Sequence, residues 1–323
     1  MKKITSGFLF VLFIVGGCWA QVVSSNSSAE AVKVEAQPNK GFSYSYYLYV
    51  PPALRDAKNR KQTHTLLVIP NNTGEISDDL SAHEAKVKKN MKNLNLFLAS
   101  KLGIAVLMPV FPRPKTDWRI YTHALDRDSM LTDKKDFRRF DLQLVAMIDH
   151  AREKLKREKL KMDKRVLITG YSASGMFANR FVFLHPKRIK AAAIGSPGGW
   201  AIAPTGSYKE KTLRYPIGTS DFKLVAGESF DVKNARKVPL FIFLGEKDTN
   251  DSVVFGDGYD AEDKDLVFEI FGKTPVERWD LSKSLYRESQ LNATFKLYPD
   301  VGHTVTDEML KDILEFFSKY IRK

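Results

Sequence analysis

From residue 42 onward the chain carries two kinds of apolar pattern in alternation. Residues 42–50 alternate aromatic and polar side chains and stop at Pro51-Pro52, as a strand does. Residues 65–69, 104–110, 166–169, 191–194, 240–244 and 293–298 are short apolar runs, the pattern of strands buried on both faces. Between them, apolar residues return at helical spacing. Residues 79–102 and 176–184 read as helices, the second ending at His185-Pro186. Phe137, Phe140, Leu144, Met147, Ile148, Ala151 and Leu155 mark another apolar stripe. A last helix begins near Thr306, where Asp307 and Glu308 suit the positive end of its dipole. Its inner face is Met309, Ile313, Phe316, Phe317 and Tyr320. Strand–helix alternation predicts an α/β fold with a mostly parallel central sheet and helices on both faces. Two segments, 198–237 and 251–290, break the rhythm. Each follows a strand, and ligands bind such sheets at the carboxyl ends of the strands. Both are expected to wall or cover a pocket within one domain, residues 41–323.

The N-terminus changes the picture. Lys2 and Lys3 precede an apolar run over residues 8–15, then small residues, then a Ser- and Asn-rich stretch. That is the layout of a signal peptide, residues 1–20, and it is too short to span a bilayer. Cys18, the only cysteine, follows Val15-Gly16-Gly17 and resembles the lipobox of bacterial lipoproteins. In that family the cysteine is lipidated and becomes the mature N-terminus; an inert cysteine in a discarded leader is the alternative. Either way the protein is expected to be exported, whether periplasmic, membrane-anchored or secreted. Residues 21–40 are polar and read as a flexible tether. With no second cysteine, no intrachain disulfide is available.

Composition adds one constraint. Hydrophobic residues at 43% and charged residues at 28% provide for a sizeable core. The net charge of +13 is high, but much of it lies in residues 86–92 and 152–165, with Glu84, Glu153 and Glu158 interspersed. Such stretches read as solvated faces of amphipathic helices, with an anionic partner as the alternative. No nucleic-acid-binding motif accompanies the charge, so nucleic acid is not an expected partner.

The candidate chemistry centres on residues 166–176. A strand leads through Gly170-Tyr171-Ser172-Ala173-Ser174-Gly175 into a helix. This resembles the nucleophile elbow of the α/β-hydrolase superfamily. A serine in that strained turn needs small residues two positions before and after it, which Gly170 and Ser174 supply. The usual motif has glycine where Ser174 stands. Ser174 is the poorer nucleophile, because Met176 would crowd its elbow. In this superfamily an acid and then a histidine follow the serine. Here a buried strand ends in Gly245-Glu-Lys-Asp248, and the next strand leads to Gly302-His303. Of the six histidines, His64, His150 and His185 sit at a strand start, within a helix and at a helix stop. Asp251 competes with Asp248, which better matches the family's Gly-x-x-Asp turn.

The resemblance implies a hydrolase with Ser172 as nucleophile, His303 as base and Asp248 as acid. It places one oxyanion donor at the backbone N–H of Ala173. The second belongs in the loop Pro70-Asn71-Asn72-Thr73-Gly74, where esterases usually carry His-Gly; Asn72 is the choice, with a plain polar turn as the alternative. Tyr171 and Trp200 are the expected substrate-binding residues. The strand Tyr46-Tyr47-Leu48-Tyr49-Val50-Pro51 is similar to one in secreted esterases that include feruloyl esterases and polyhydroxybutyrate depolymerases. The resemblance implies no metal and no organic cofactor. The expected reaction is hydrolysis of a small-molecule or polymer-linked carboxylic ester through an acyl-serine. A peptidase on the same fold and a non-catalytic, surface-anchored binding protein are the alternatives.

Overall fold

The apolar runs pair with one another into a single eight-stranded sheet. The computed structural model describes residues 31–321 apart from 60, 73, 75, 92–95 and 257. The expected signal peptide, residues 1–20 with Cys18, lies outside the described residues. In chain order the sheet strands are β1 (Val32–Val34), β2 (Tyr46–Tyr49), β3 (Leu66–Val68), β4 (Ala105–Pro109), β5 (Val166–Tyr171), β6 (Ile189–Gly195), β7 (Leu240–Gly245) and β8 (Ala293–Tyr298). In space they run β1-β2-β4-β3-β5-β6-β7-β8. The strands from β3 to β8 are parallel, and β1 and β2 join antiparallel at the β4 edge. The helices that matter here are α1 (Leu80–Asn90), α2 (Leu96–Leu102), α3 (Phe140–Arg157), α4 (Ala173–Leu184), α5 (Ala261–Ile270), α6 (Trp279–Glu288) and α7 (Asp307–Ile321).

The period-2 alternation of strands sorts side chains onto two faces. Tyr46, Leu48, Leu66 and Val68 join one core with Phe140 and Leu144 of α3 and Phe177 and Phe181 of α4. Tyr47, Tyr49, Leu67 and Ile69 join the other with Val87, Leu98, Met309 and Phe317, from α1, α2 and α7. The sheet is therefore covered on both faces, and its parallel strands open their carboxyl ends along one edge of the molecule.

Of the helix expected over residues 79–102, the described residues form α1 and α2. One expectation needs correction. The tether expected over residues 21–40 does not hold over its described part. Val32–Val34 pairs with Tyr46–Leu48, and Lys33 reaches Glu84 at 3.0 Å. Glu84 also accepts from Tyr47 Oη at 2.7 Å. A three-residue edge strand was not legible in so polar a stretch, because its stability comes from partners 12 or more positions away.

The segments 198–237 and 251–290 pack a third core of their own against α4, with Trp200, Leu213, Ile217, Val253, Tyr259 and Phe271 around Met176. They add a layer to the domain. Within the second, α6 covers the sheet directly, with Tyr286 in the first core.

Candidate active site

The turn after β5 sets the geometry. Ser172 has φ 61° and ψ −128°, a positive-φ conformation that costs a non-glycine residue about 1–3 kcal/mol. It precedes α4, but its side chain caps none of the helix N–H groups, so a capping role does not account for it. Its N–H is held by Gly195 O at 3.0 Å. A Cβ on Gly170 would come within 2.2 Å of Ser174 O, so only glycine fits there. Ser174, which stands where the elbow motif has glycine, fastens the turn. It accepts from the Tyr171 N–H at 3.0 Å and donates to Tyr171 O at 2.9 Å. That use of its hydroxyl removes Ser174 as a rival nucleophile.

Asp248 and His303 meet because β7 and β8 are neighbours. The turn closes with Asp248 N–H on Gly245 O at 3.0 Å, and Lys247 N–H on Val301 O at 2.8 Å ties the two loops together. A Cβ on Gly245 would lie 2.3 Å from Val301 O, so this approach needs glycine. Asp248 is buried, and its carboxylate receives His303 Nδ1 at 3.0 and 2.9 Å. Burial alone would push its pKa up; hydrogen bonds from His303, Ser196 and the Asn250 N–H outweigh it and hold the carboxyl below its usual range. Because an ionised carboxylate only accepts, Nδ1 carries a proton, and in the neutral ring Nε2 presents its lone pair to the cleft.

Two residues that the sequence reading missed complete this cluster. Ser196, at φ 41° just after β6, donates to Asp248 Oδ2 at 2.7 Å and lies 3.4 Å from His303 Nδ1. Asn250 donates its backbone N–H to Asp248 Oδ1 at 2.9 Å. Its side-chain Nδ2 is 2.7 Å from His303 Nε2 and 3.4 Å from Ser172 Oγ. Among the described residues no hydrogen bond joins Ser172 directly to His303. Neither residue belongs to a local motif; Ser196 matters only because β6 lies between β5 and β7.

The remaining expected residues divide. Asp251, the rival acid, is buried in a two-pronged ion pair with Arg278, both bonds at 2.9 Å, and is spent on structure. Tyr171 does face the site: its ring is 5.0 Å from that of His303 and its hydroxyl 3.5 Å from Asp248. Burial, then the Asp248 charge, raises its pKa, so the phenol keeps its proton. Ala173 is the first residue of α4, where N–H groups have no intrahelical acceptor. Asn72 lines the same cleft, while Asn71 is buried and exchanges two hydrogen bonds with the Phe111 backbone, pinning the loop. Trp200 is a correction. It is 2% exposed, stacks on Phe271 at 4.1 Å and donates its indole N–H to Ile217 O. It is packing beneath the surface and does not line the cleft.

The cleft over Ser172 has a volume of about 890 Å³. Its walls also differ from expectation. No residue of 198–237 lines it; the segment after β4, with Arg113, Trp118 and Tyr121, forms one wall, and Asn250, Ser252, Phe255 and Gly256 form the other. Arg113 stacks on Tyr121, 3.9 Å from the ring centre. Trp118 and Phe255 are 45% and 58% exposed and form an apolar rim to the cleft together with Ile76.

Sheet order, an elbow after β5, an acid after β7 and a histidine after β8 define the α/β-hydrolase fold, and this chain has it. No family model matches the chain, and no curated protein matches it by sequence. Solved structures share its fold. A poly(aspartic acid) hydrolase from Sphingomonas sp. KT-1 superposes with TM-score 0.55 at 18% identity, over 91% of this chain and 98% of that one. A poly(3-hydroxybutyrate) depolymerase from Bordetella parapertussis gives 0.57 at 13% identity, over 91% and 92%. An S-formylglutathione hydrolase from Agrobacterium tumefaciens gives 0.52 at 13%, over 93% and 99%.

Proposed function

We propose that the protein is a serine hydrolase that cleaves carboxylic esters through an acyl-serine intermediate. The observation that carries this reading is one constellation: a serine held at positive φ in a cleft, beside a histidine whose far nitrogen is fixed by a buried aspartate. In the reaction His303 Nε2 takes the proton of Ser172 Oγ as that oxygen bonds to the ester carbonyl carbon. The carbonyl electron pair moves onto its oxygen, where the Ala173 N–H and a donor from Asn72 stabilise the charge. Collapse breaks the bond to the alcohol oxygen, which leaves with the proton from His303. Water then repeats the sequence on the acyl-serine. Asp248 holds the imidazole tautomer and stabilises the imidazolium as it forms.

The cleft volume and its aromatic rim suit an ester with a bulky apolar or aromatic part, whether free or on a polymer. The fold shared with a poly(3-hydroxybutyrate) depolymerase and the aromatic strand β2 support placement near the secreted esterases. The leader pattern supports export, and Cys18 supports a lipid anchor. A panel of ester and peptide substrates, run on wild type and Ser172→Ala, tests the reading. Ser172→Ala is expected to lose about 10⁶ in kcat, the loss known for the equivalent removal in another serine hydrolase. Ester turnover retained in the variant would refute the assignment, and peptide turnover without ester turnover would move it to the peptidases.

A further inference from the structure

Asn250 occupies the space through which a proton must pass between Ser172 and His303. The tautomer of the neutral ring is set by Asp248, so in that form Nε2 is an acceptor, and the group facing it must donate. The Asn250 amide does so at 2.7 Å, while its second proton points to Ser172 Oγ at 3.4 Å. The base's lone pair is thus capped. The amide is also anchored: its backbone N–H is bonded to Asp248 Oδ1, so the same carboxylate positions both the ring and the cap. The side chain is part of the cleft wall, together with Ser172 and His303, where an entering substrate would meet it.

We propose that Asn250 is a gate on the nucleophile–base pair, a positioning residue that acts through His303. In the unliganded enzyme it holds the base away from Ser172. A substrate displaces the carboxamide, and only then does Nε2 reach the Ser172 hydroxyl. The device would keep the serine unreactive toward small acylating molecules and water until the cleft is filled. This rests on the reading of Ser172 and His303 as nucleophile and base.

Removing the gate should make the serine more reactive, opposite to the usual effect of deleting a polar group from an active site. A net hydrogen bond of ordinary strength corresponds to a shift of roughly 2- to 10-fold in the capped population. The test measures the second-order rate of Ser172 modification by diisopropyl fluorophosphate, and kcat and KM with p-nitrophenyl acetate. Asn250→Ala keeps the backbone N–H and so the turn. It is expected to be modified about 2- to 10-fold faster, with KM lower by a similar factor, because wild type spends binding energy on displacing the amide. Asn250→Ser, whose hydroxyl is too short to reach the ring, should behave alike and serves if the alanine variant does not fold. Unchanged or slower modification overturns the gate, as does a fall in kcat at constant KM, which would mean that Asn250 bonds the transition state. If wild type and variants all leave Ser172 unmodified, the hydrolase reading itself fails and takes the gate with it.

Discussion

Asp248 and Asp251 lie three positions apart after the same strand, both buried, and they pair with different partners, His303 and Arg278. Replacing each by asparagine separates the two pairings. In Asp251→Asn the Arg278 guanidinium, 1% exposed, faces an uncharged amide in place of a carboxylate that bonded it at 2.9 Å on both prongs. Breaking a buried pair by removing one charge costs about 3–5 kcal/mol. At roughly 2–4 °C per kcal/mol for a domain of this size, the melting temperature should fall by about 6–20 °C. Turnover per folded molecule should stay near wild type, since the ion pair has no atom bonded to Ser172 or His303. In Asp248→Asn the imidazole loses the partner that fixes its tautomer, and kcat should fall by about 10⁴. Its melting temperature should fall less, because the isosteric amide leaves no unpaired charge. Thermal unfolding by circular dichroism together with active-site-titrated ester hydrolysis measures both properties. A folded Asp251→Asn protein that is inactive, beside an active Asp248→Asn, would exchange the roles and refute the argument from pairing.

Other outcomes follow from the same structure. Trp200→Ala should cost about 3–5 kcal/mol of stability and leave the substrate ranking unchanged; an altered ranking at constant melting temperature would return Trp200 to the pocket. Asp141, fully buried, is pushed up by burial, but bonds from His185 and Arg139 prevail and bring its pKa to about 2. Since this lies below the unfolded value near 4, its contribution of about 2–3 kcal/mol is complete above pH 4 and is lost as the pH falls through 2. Asp141→Asn should flatten that part of the acid denaturation curve, and an unchanged curve would count against the pairing. Deleting residues 1–30 should leave soluble, active protein, whereas deleting 1–38 removes β1 and should lower the unfolding midpoint in urea; equal midpoints would show that β1 adds nothing. Cys18→Ser should move the full chain from the membrane fraction to the soluble one, and unchanged fractionation would rule out the anchor.

Much of this molecule could be read along the chain. The strand read over residues 42–50, which became β2 at 46–49, the runs that became β3 to β8 and the stripe on α3 each reflect burial constraints that act over a few residues. Local pattern records such constraints faithfully. The elbow is of the same kind, because Gly170 and Ser174 are small on account of Ser172 between them. What the chain alone could not decide are contacts between segments. That Ser174 could stand where glycine is usual followed from a hydroxyl that bonds both polar groups of Tyr171. Trp200 looked like a pocket residue until Phe271 and Ile217 were seen around it, and Asp251 remained a rival acid until Arg278 was found beside it. Ser196 and Asn250 touch His303 only because β6, β7 and β8 are neighbours in the sheet, and the order of strands in space is written in no single stretch of sequence. Order along the chain therefore determined which residues could do chemistry. The packing of distant segments determined which of them meet, and that Asn250 stands between Ser172 and His303.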